Sequence, residues 1–217
     1  MYKTSFKTFG GDYIPDIIEY LKKYVENDPT VTISVGTDSI QKRRKTVYAN
    51  TIMLYNTDIR RGAHVVFFRE SCLKIRDNYE RLHKEAQYVH DIGTYLHNEL
   101  SNIGYVRNDL GDMEMKKYKY HIAKCNGDYS FVPPHQEEAV IRNLNLSGVD
   151  RMEYKLVDLH VDFNPFEGTI NERGMTKNKS YVAYKSYVPW LRGLGFRTWA
   201  KPMAFAATSA ADLLLQD

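Results

Sequence analysis

Long apolar runs are missing from this 217-residue chain, and cysteine is scarce. No stretch approaches the roughly 18–20 apolar residues of a membrane-spanning helix, so no membrane partner is expected. The opening residues Met-Tyr-Lys-Thr-Ser-Phe-Lys carry no apolar core of the kind a signal peptide needs. Two cysteines, Cys72 and Cys125, are too few for a disulfide framework and fit reduced thiols, so a cytoplasmic location is expected. Around His121, Cys125 and His135 there is no paired CxxC or HxxxH spacing, which argues against a zinc site. An excess of charge of one sign is lacking too. A net charge of +3 permits a polyanionic partner without demanding one. Repeats, low-complexity tracts and dividing linkers are also missing, so residues 1–217 are expected to form a single domain.

What is present is globular. Hydrophobic content of 43% and charged content of 26% suit an ordinary folded domain of this length. Residues 14–26 place apolar side chains at 14, 17, 18, 21 and 25, the spacing of a helix, with Pro15 in its first turn. Three strands are expected at 31–38, 46–55 and 63–69, joined by short polar links that favour antiparallel pairing. A long helix over 76–101 follows, with Tyr79, Leu82, Ala86, Val89, Gly93, Leu96 and Leu100 on one stripe. Between 104 and 152 the pattern weakens to a turn at Val132-Pro133-Pro134 and a short helix at 135–144. A strand at 155–163, a helix at 180–192 that Pro189 should kink or stop, a strand at 195–200 and a helix at 208–215 complete the order. That order predicts an α/β (α+β mixed) domain whose sheet is antiparallel at one side and covered by helices.

The polar residues inside the strands are the unusual feature. Alternation puts Thr32, Ser34, Gly36 and Asp38 on one side of the first strand, and Leu156, Asp158, His160 and Asp162 on one side of the later one. If these strands are neighbours with those sides aligned, Asp38 and Asp162 meet near adjacent strand ends. Two carboxylates that close repel unless one is protonated or a cation lies between them. Mg²⁺ takes oxygen ligands, so a few carboxylates and a substrate phosphate suit it. Glu85 borders the apolar stripe of its helix, where it can face a cleft or face solvent. His83, His90 and His97 on that helix are seven residues apart, about 10.5 Å of rise, too far to share a metal. Gln41-Lys42-Arg43-Arg44-Lys45 has two readings: a solvated hairpin turn, or a phosphate contact made by Lys42, Arg43 and Arg44.

Three segments together resemble a known family: Val35-Gly36-Thr37-Asp38-Ser39, His160-Val161-Asp162, and Lys201-Pro202-Met203-Ala204-Phe205-Ala206-Ala207-Thr208-Ser209-Ala210-Ala211-Asp212. They look like signatures of the YkuK-type branch of the ribonuclease H-like superfamily, a branch of predicted nucleases. Arg81-Leu82-His83-Lys84-Glu85 resembles the helix segment that carries the superfamily's acid, and Gly193-Leu194-Gly195-Phe196 the turn into its last strand. The resemblance implies a ribonuclease H-like five-stranded mixed sheet, order 3-2-1-4-5, with helices on both faces. It implies a divalent-metal nuclease using Mg²⁺ or Mn²⁺ and two ions, with Asp38, Glu85, Asp162 and Asp212 as both catalytic residues and metal ligands, and Asp38 bridging the ions. Lys201, with Lys42, Arg43 and Arg44, is the expected contact to nucleic acid. Two departures stand out: Pro189 where the family tends to have glycine, and a long insertion at about 104–152 able to serve a protein partner. That insertion and seventeen tyrosines also suit another reading, a catalytically inactive ribonuclease H-like binding or structural module within a larger assembly, phage or virion included.

Overall fold

The computed structural model describes residues 6–28, 31–56, 63–105, 155–167 and 178–216. Nearly all of the insertion lies outside them, as do its expected turn and helix and His121, Cys125 and His135.

A short hairpin opens the fold: β1 (Phe6–Thr8) pairs antiparallel with β2 (Tyr13–Ile14). Helix α1 (Ile17–Asn27) then starts later than the periodicity predicts. Asp16 holds extended backbone and its carboxylate accepts the N–H groups of Ile18 and Glu19 at 2.9 and 3.1 Å, so it is the N-cap. Pro15 precedes that cap, and Ile14 is left to pair with Phe6. Strands β3 (Val31–Lys42), β4 (Lys45–Asn56) and β5 (Ala63–Leu73) follow as an antiparallel meander. They outrun the expected segments because backbone pairing continues past the core: Lys42 still pairs with Lys45 around the Arg43-Arg44 turn. Helix α2 (Asn78–Asn102) is N-capped by Asp77 and buries the predicted stripe from Leu82 to Leu100, together with Ile92 and Glu85.

After the insertion, β6 (Val157–Val161) returns parallel to β3, with Val35 opposite Leu159 and Thr37 opposite Val161. Helix α3 (Lys179–Gly193) carries Pro189 within it and runs on four residues beyond, so the expected early stop does not occur. It ends on Gly195 at φ 85°, where Phe196 N–H reaches the Leu191 carbonyl and Gly195 N–H the Arg192 carbonyl. A side chain at that φ would be strained, which is why glycine stands there. β7 (Thr198–Trp199) pairs parallel with β6. The last helix opens as a π-helical segment (Ala206–Ala211) before the α-helical turn α4 (Asp212–Leu215), two residues earlier than expected.

The sheet therefore has seven strands in the order β2-β1-β5-β4-β3-β6-β7, a correction to the expected five-stranded sheet: β5-β4-β3-β6-β7 keep the relative order 3-2-1-4-5, and a hairpin is added at one edge. The N-terminal hairpin joins the β5 edge through Lys7–Phe67 and Thr8–Val66. Strands of three and two residues are too short to show alternation, so nothing in the sequence pattern marks them. Phe6 nonetheless packs edge-on against Phe68 with ring centroids 4.9 Å apart. One face of the sheet, with Ile33, Val35, Ile52, Leu54, Val157, Leu159 and Val161, packs under α1, α2 and α3. The other meets the C-terminal helix through Ala49, Met53 and Val65 against Ala206, Ala210, Ala211, Leu214 and Leu215. A Cβ at Gly36 would lie 2.4 Å from Ala206 and Ala207 backbone atoms, so glycine there lets the π segment reach β3. Among the described residues no helix is long and apolar enough to cross a membrane.

Candidate functional site

Parallel pairing of β3 with β6 brings the polar sides of both strands together under the C-terminal helix. Two of those polar groups, Asp158 and His160, are structural. Asp158 accepts from Arg197 Nε at 3.0 and 2.9 Å and from Nη2 at 2.5 Å, and Trp199 Nε1 adds a bond at 3.2 Å. That fully buried pair ties β6 to β7. His160 is buried as well, and its Nδ1 accepts the Ala206 N–H at 3.1 Å. Burial drives its pKa down to about 3, so it stays neutral and pins the start of the π segment.

One step beyond the last paired residues, Thr37 and Val161, come Asp38 and Asp162. Both line a cleft of about 340 Å³ at this end of the sheet, with Glu85, Arg81, Asn78 and Leu82 from α2, Asn178, Lys179 and Ser180 from the start of α3, and Lys201. Three of the four expected acids thus converge. The fourth, Asp212, does not line the cleft; it is exposed and accepts from Gln216 Nε2 at 3.1 Å. Its charge still raises the pKa of both Asp38 and Asp162, so it stands near the rim.

The acids are poorly stabilised as anions. Burial, then the charge of Asp162, lifts Asp38 to about 6, although Ser39 N–H donates to its Oδ1 at 2.7 Å. Burial, then the charge of Asp38, lifts Glu85 to about 8. Burial also raises Asp162, against the opposing pull of Lys201, whose Nζ is 2.9 Å from Oδ2. Glu85 Oε1 accepts from Ser39 Oγ at 2.5 Å and Arg81 Nη1 at 3.1 Å, and the same Nη1 reaches the Ser39 carbonyl at 2.9 Å.

Glu85 Oε2 and Asp162 Oδ1 are buried with no hydrogen-bond partner. Orphaned carboxylate oxygens beside a third carboxylate are hard donors, and in donor chemistry they fit Mg²⁺ or Mn²⁺. In the arrangement shown, no three Asp, Glu, His or Cys side chains among the described residues are grouped to hold an ion. Arg81 and Lys201 occupy one oxygen each of Glu85 and Asp162, and Asp212 turns outward.

Of the expected nucleic-acid contacts, Lys201 lines the cleft. Lys42, Arg43 and Arg44 do not; they are exposed at the β3–β4 tip, four to six residues past Asp38 along the same strand and turn. His83, His90 and His97 play no part in the cleft: His83 packs on Tyr187 and His90 on Trp190, with ring centroids 5.3 and 4.9 Å apart. Arg81, Ser39 and the first residues of α3 were not singled out as site residues from the sequence. The spacing of Arg81 four residues before Glu85 is the signal that reveals the first of these. Nothing in the sequence marks Asn178, Lys179 and Ser180, because their place depends on how α3 docks.

A family model described as Ribonuclease H-like matches residues 14–122, just over half of the chain. The matched span includes Asp38 and Glu85 and stops before Asp162, Lys201 and Asp212. No curated protein and no solved structure matches the chain.

Proposed function

Because the chain belongs to the ribonuclease H-like family, we propose that it is a divalent-metal-dependent nuclease that hydrolyses phosphodiester bonds of a nucleic acid by a two-metal mechanism. The observation that carries this reading is the convergence of Asp38, Glu85 and Asp162 from β3, α2 and β6 into one cleft, with buried carboxylate oxygens lacking partners. In this reading Asp38, Glu85 and Asp162 hold Mg²⁺ or Mn²⁺, and Asp212 joins them from the rim. When bound, the ions supply Lewis acidity that polarises the phosphate and makes water a better nucleophile at neutral pH.

The protein's own share is positioning. Ser39 and Arg81 fix the Glu85 carboxylate. Arg81, Lys179 and Lys201 give the cleft positive charge to draw in a phosphate, beside the neutral side chains of Asn78, Asn178 and Ser180. Lys42, the last residue of β3, lies roughly 13 Å beyond Asp38 at about 3.3 Å per residue, with Arg43 and Arg44 in the turn just past it, suited to a more distant phosphate of the same strand. Cleavage assays on RNA, DNA and hybrid duplexes with Mg²⁺ or Mn²⁺ test the proposal. Cleavage that is lost in both Asp38→Asn and Asp162→Asn supports it; wild-type rates in both variants overturn it.

One observation favours a second reading, an inactive binding module: Arg81 and Lys201 already pair with two of the acids. A cleft neutralised in this way needs no metal. Calorimetry separates the two, since a module takes up no Mg²⁺ or Mn²⁺ at millimolar concentration.

A further inference from the structure

We propose that Lys201 is a displaceable internal cation: its ammonium holds Asp162 while the cleft is metal-free and gives way when a divalent ion enters. The inference rests on the reading of the cleft as a metal site. It is argued from a contrast among three cationic side chains that pair with acids of β6 and α2 or with the residue just past β6. Arg197 is 3% exposed and grips Asp158 through two nitrogens, in an ion pair sealed from solvent. Arg81 is held by the Ser39 carbonyl, Ser39 Oγ and Glu85 Oε1 at 2.9, 2.6 and 3.1 Å, so its guanidinium is fixed at three acceptors on two elements. Lys201 differs from both. Its side chain is 44% exposed while its partner Asp162 is 19% exposed, so the ammonium sits on the solvent side of the pair.

Chemistry separates them in the same way. A guanidinium is a rigid planar fork, whereas an ammonium is a hydrated point charge on a flexible stem. With its ammonium on the solvent side, the Lys201–Asp162 pair is more screened and more open to exchange than the sealed Arg197–Asp158 pair. Asp162 Oδ1, the oxygen Lys201 does not take, is buried without a partner, so the carboxylate keeps an unused donor. A doubly charged ion attracts Asp162, Asp38 and Glu85 more strongly than one ammonium does, and it repels that ammonium. Lys201 therefore lowers the apparent affinity of the cleft for metal, and once displaced leaves a positive charge at the mouth where a phosphate arrives.

The test is a calorimetric Mn²⁺ titration of the full chain, comparing wild type with Lys201→Met, Lys201→Gln and Lys201→Arg. Removing the positive charge should tighten binding on the order of tenfold, the scale of repulsion between one and two charges a few ångströms apart in a water-like medium. Lys201→Arg should bind no more tightly than wild type. Two neutral variants guard against one that fails to fold. If wild type binds Mn²⁺ and both neutral variants bind equally or more weakly, the proposal is overturned while the metal reading stands. If no protein takes up Mn²⁺ at millimolar concentration, the metal reading fails and the proposal falls with it.

Discussion

Replacing Glu85 by Gln should stabilise the metal-free protein relative to wild type increasingly as pH rises. Glu85 is 2% exposed, and its carboxyl is raised to about 8 by burial and the neighbouring Asp38. In the unfolded chain it titrates near 4.5. A folded pKa above the unfolded one leaves stability intact below the unfolded value and removes it as pH climbs toward the folded value. Linkage puts the loss at about 1 kcal/mol at pH 5, about 3 kcal/mol at pH 7, and a ceiling of about 5 kcal/mol above pH 8. Glutamine escapes this loss and keeps an acceptor for Ser39 and Arg81. It also places an amide NH₂ where Oε2 has no partner, at a cost of about 1–3 kcal/mol, and leaves the half-buried Arg81 without its anion. The balance is near zero or slightly unfavourable at pH 5 and favourable by about 1–2 kcal/mol at pH 8. For a chain of this size each kcal/mol moves Tm by roughly 2–4 °C. Thermal melts of both proteins in chelator, from pH 5 to 8.5, should show Tm of the variant gaining on wild type across that range. A difference that stays flat, or that shrinks as pH rises, refutes the reasoning.

Other expectations follow from the same geometry. Gly36→Ala drives a methyl into the Ala206–Ala207 backbone, so it should destabilise by about 1–3 kcal/mol or more and loosen the C-terminal helix, read by denaturant melts and amide exchange at residues 206–215. Arg197→Met strands the buried Asp158 carboxylate and should cost about 3–5 kcal/mol; the double change with Asp158→Leu should recover most of that in a denaturant melt. Neutralising Lys42, Arg43 and Arg44 together should leave Tm unchanged and weaken nucleic-acid binding, with the slope of log affinity against log salt falling by up to about three in a fluorescence titration.

How far the sequence led can be read from individual residues. Alternation in β3 and β6 put Asp38 and Asp162 on like sides of their strands, but their meeting depended on the two strands being neighbours, which the parallel β3–β6 register supplies. The apolar stripe of α2 put Glu85 at a boundary, and the fold buries it, since Ser39 and Arg81 come from outside that stripe to receive it. Asp212 rested on a motif, and no periodicity marks a π-helical segment, so its outward turn was invisible. The β1–β2 hairpin escaped notice for a different reason: Phe6 and Ile14 are buried by long-range contact with β5 and α1, not by a pattern within their own few residues. The pairing of Lys201 with Asp162 was hidden likewise. Lys201 reaches Asp162 from 39 positions away, across the whole of α3 and β7.

The most direct check on the metal centre is a crystal structure of the protein with Mn²⁺, read by anomalous scattering. Peaks among Asp38, Glu85 and Asp162, with Lys201 withdrawn from Asp162, are the predicted result. Well-ordered carboxylates with Lys201 still in place and no anomalous peak in the cleft at saturating Mn²⁺ would contradict it.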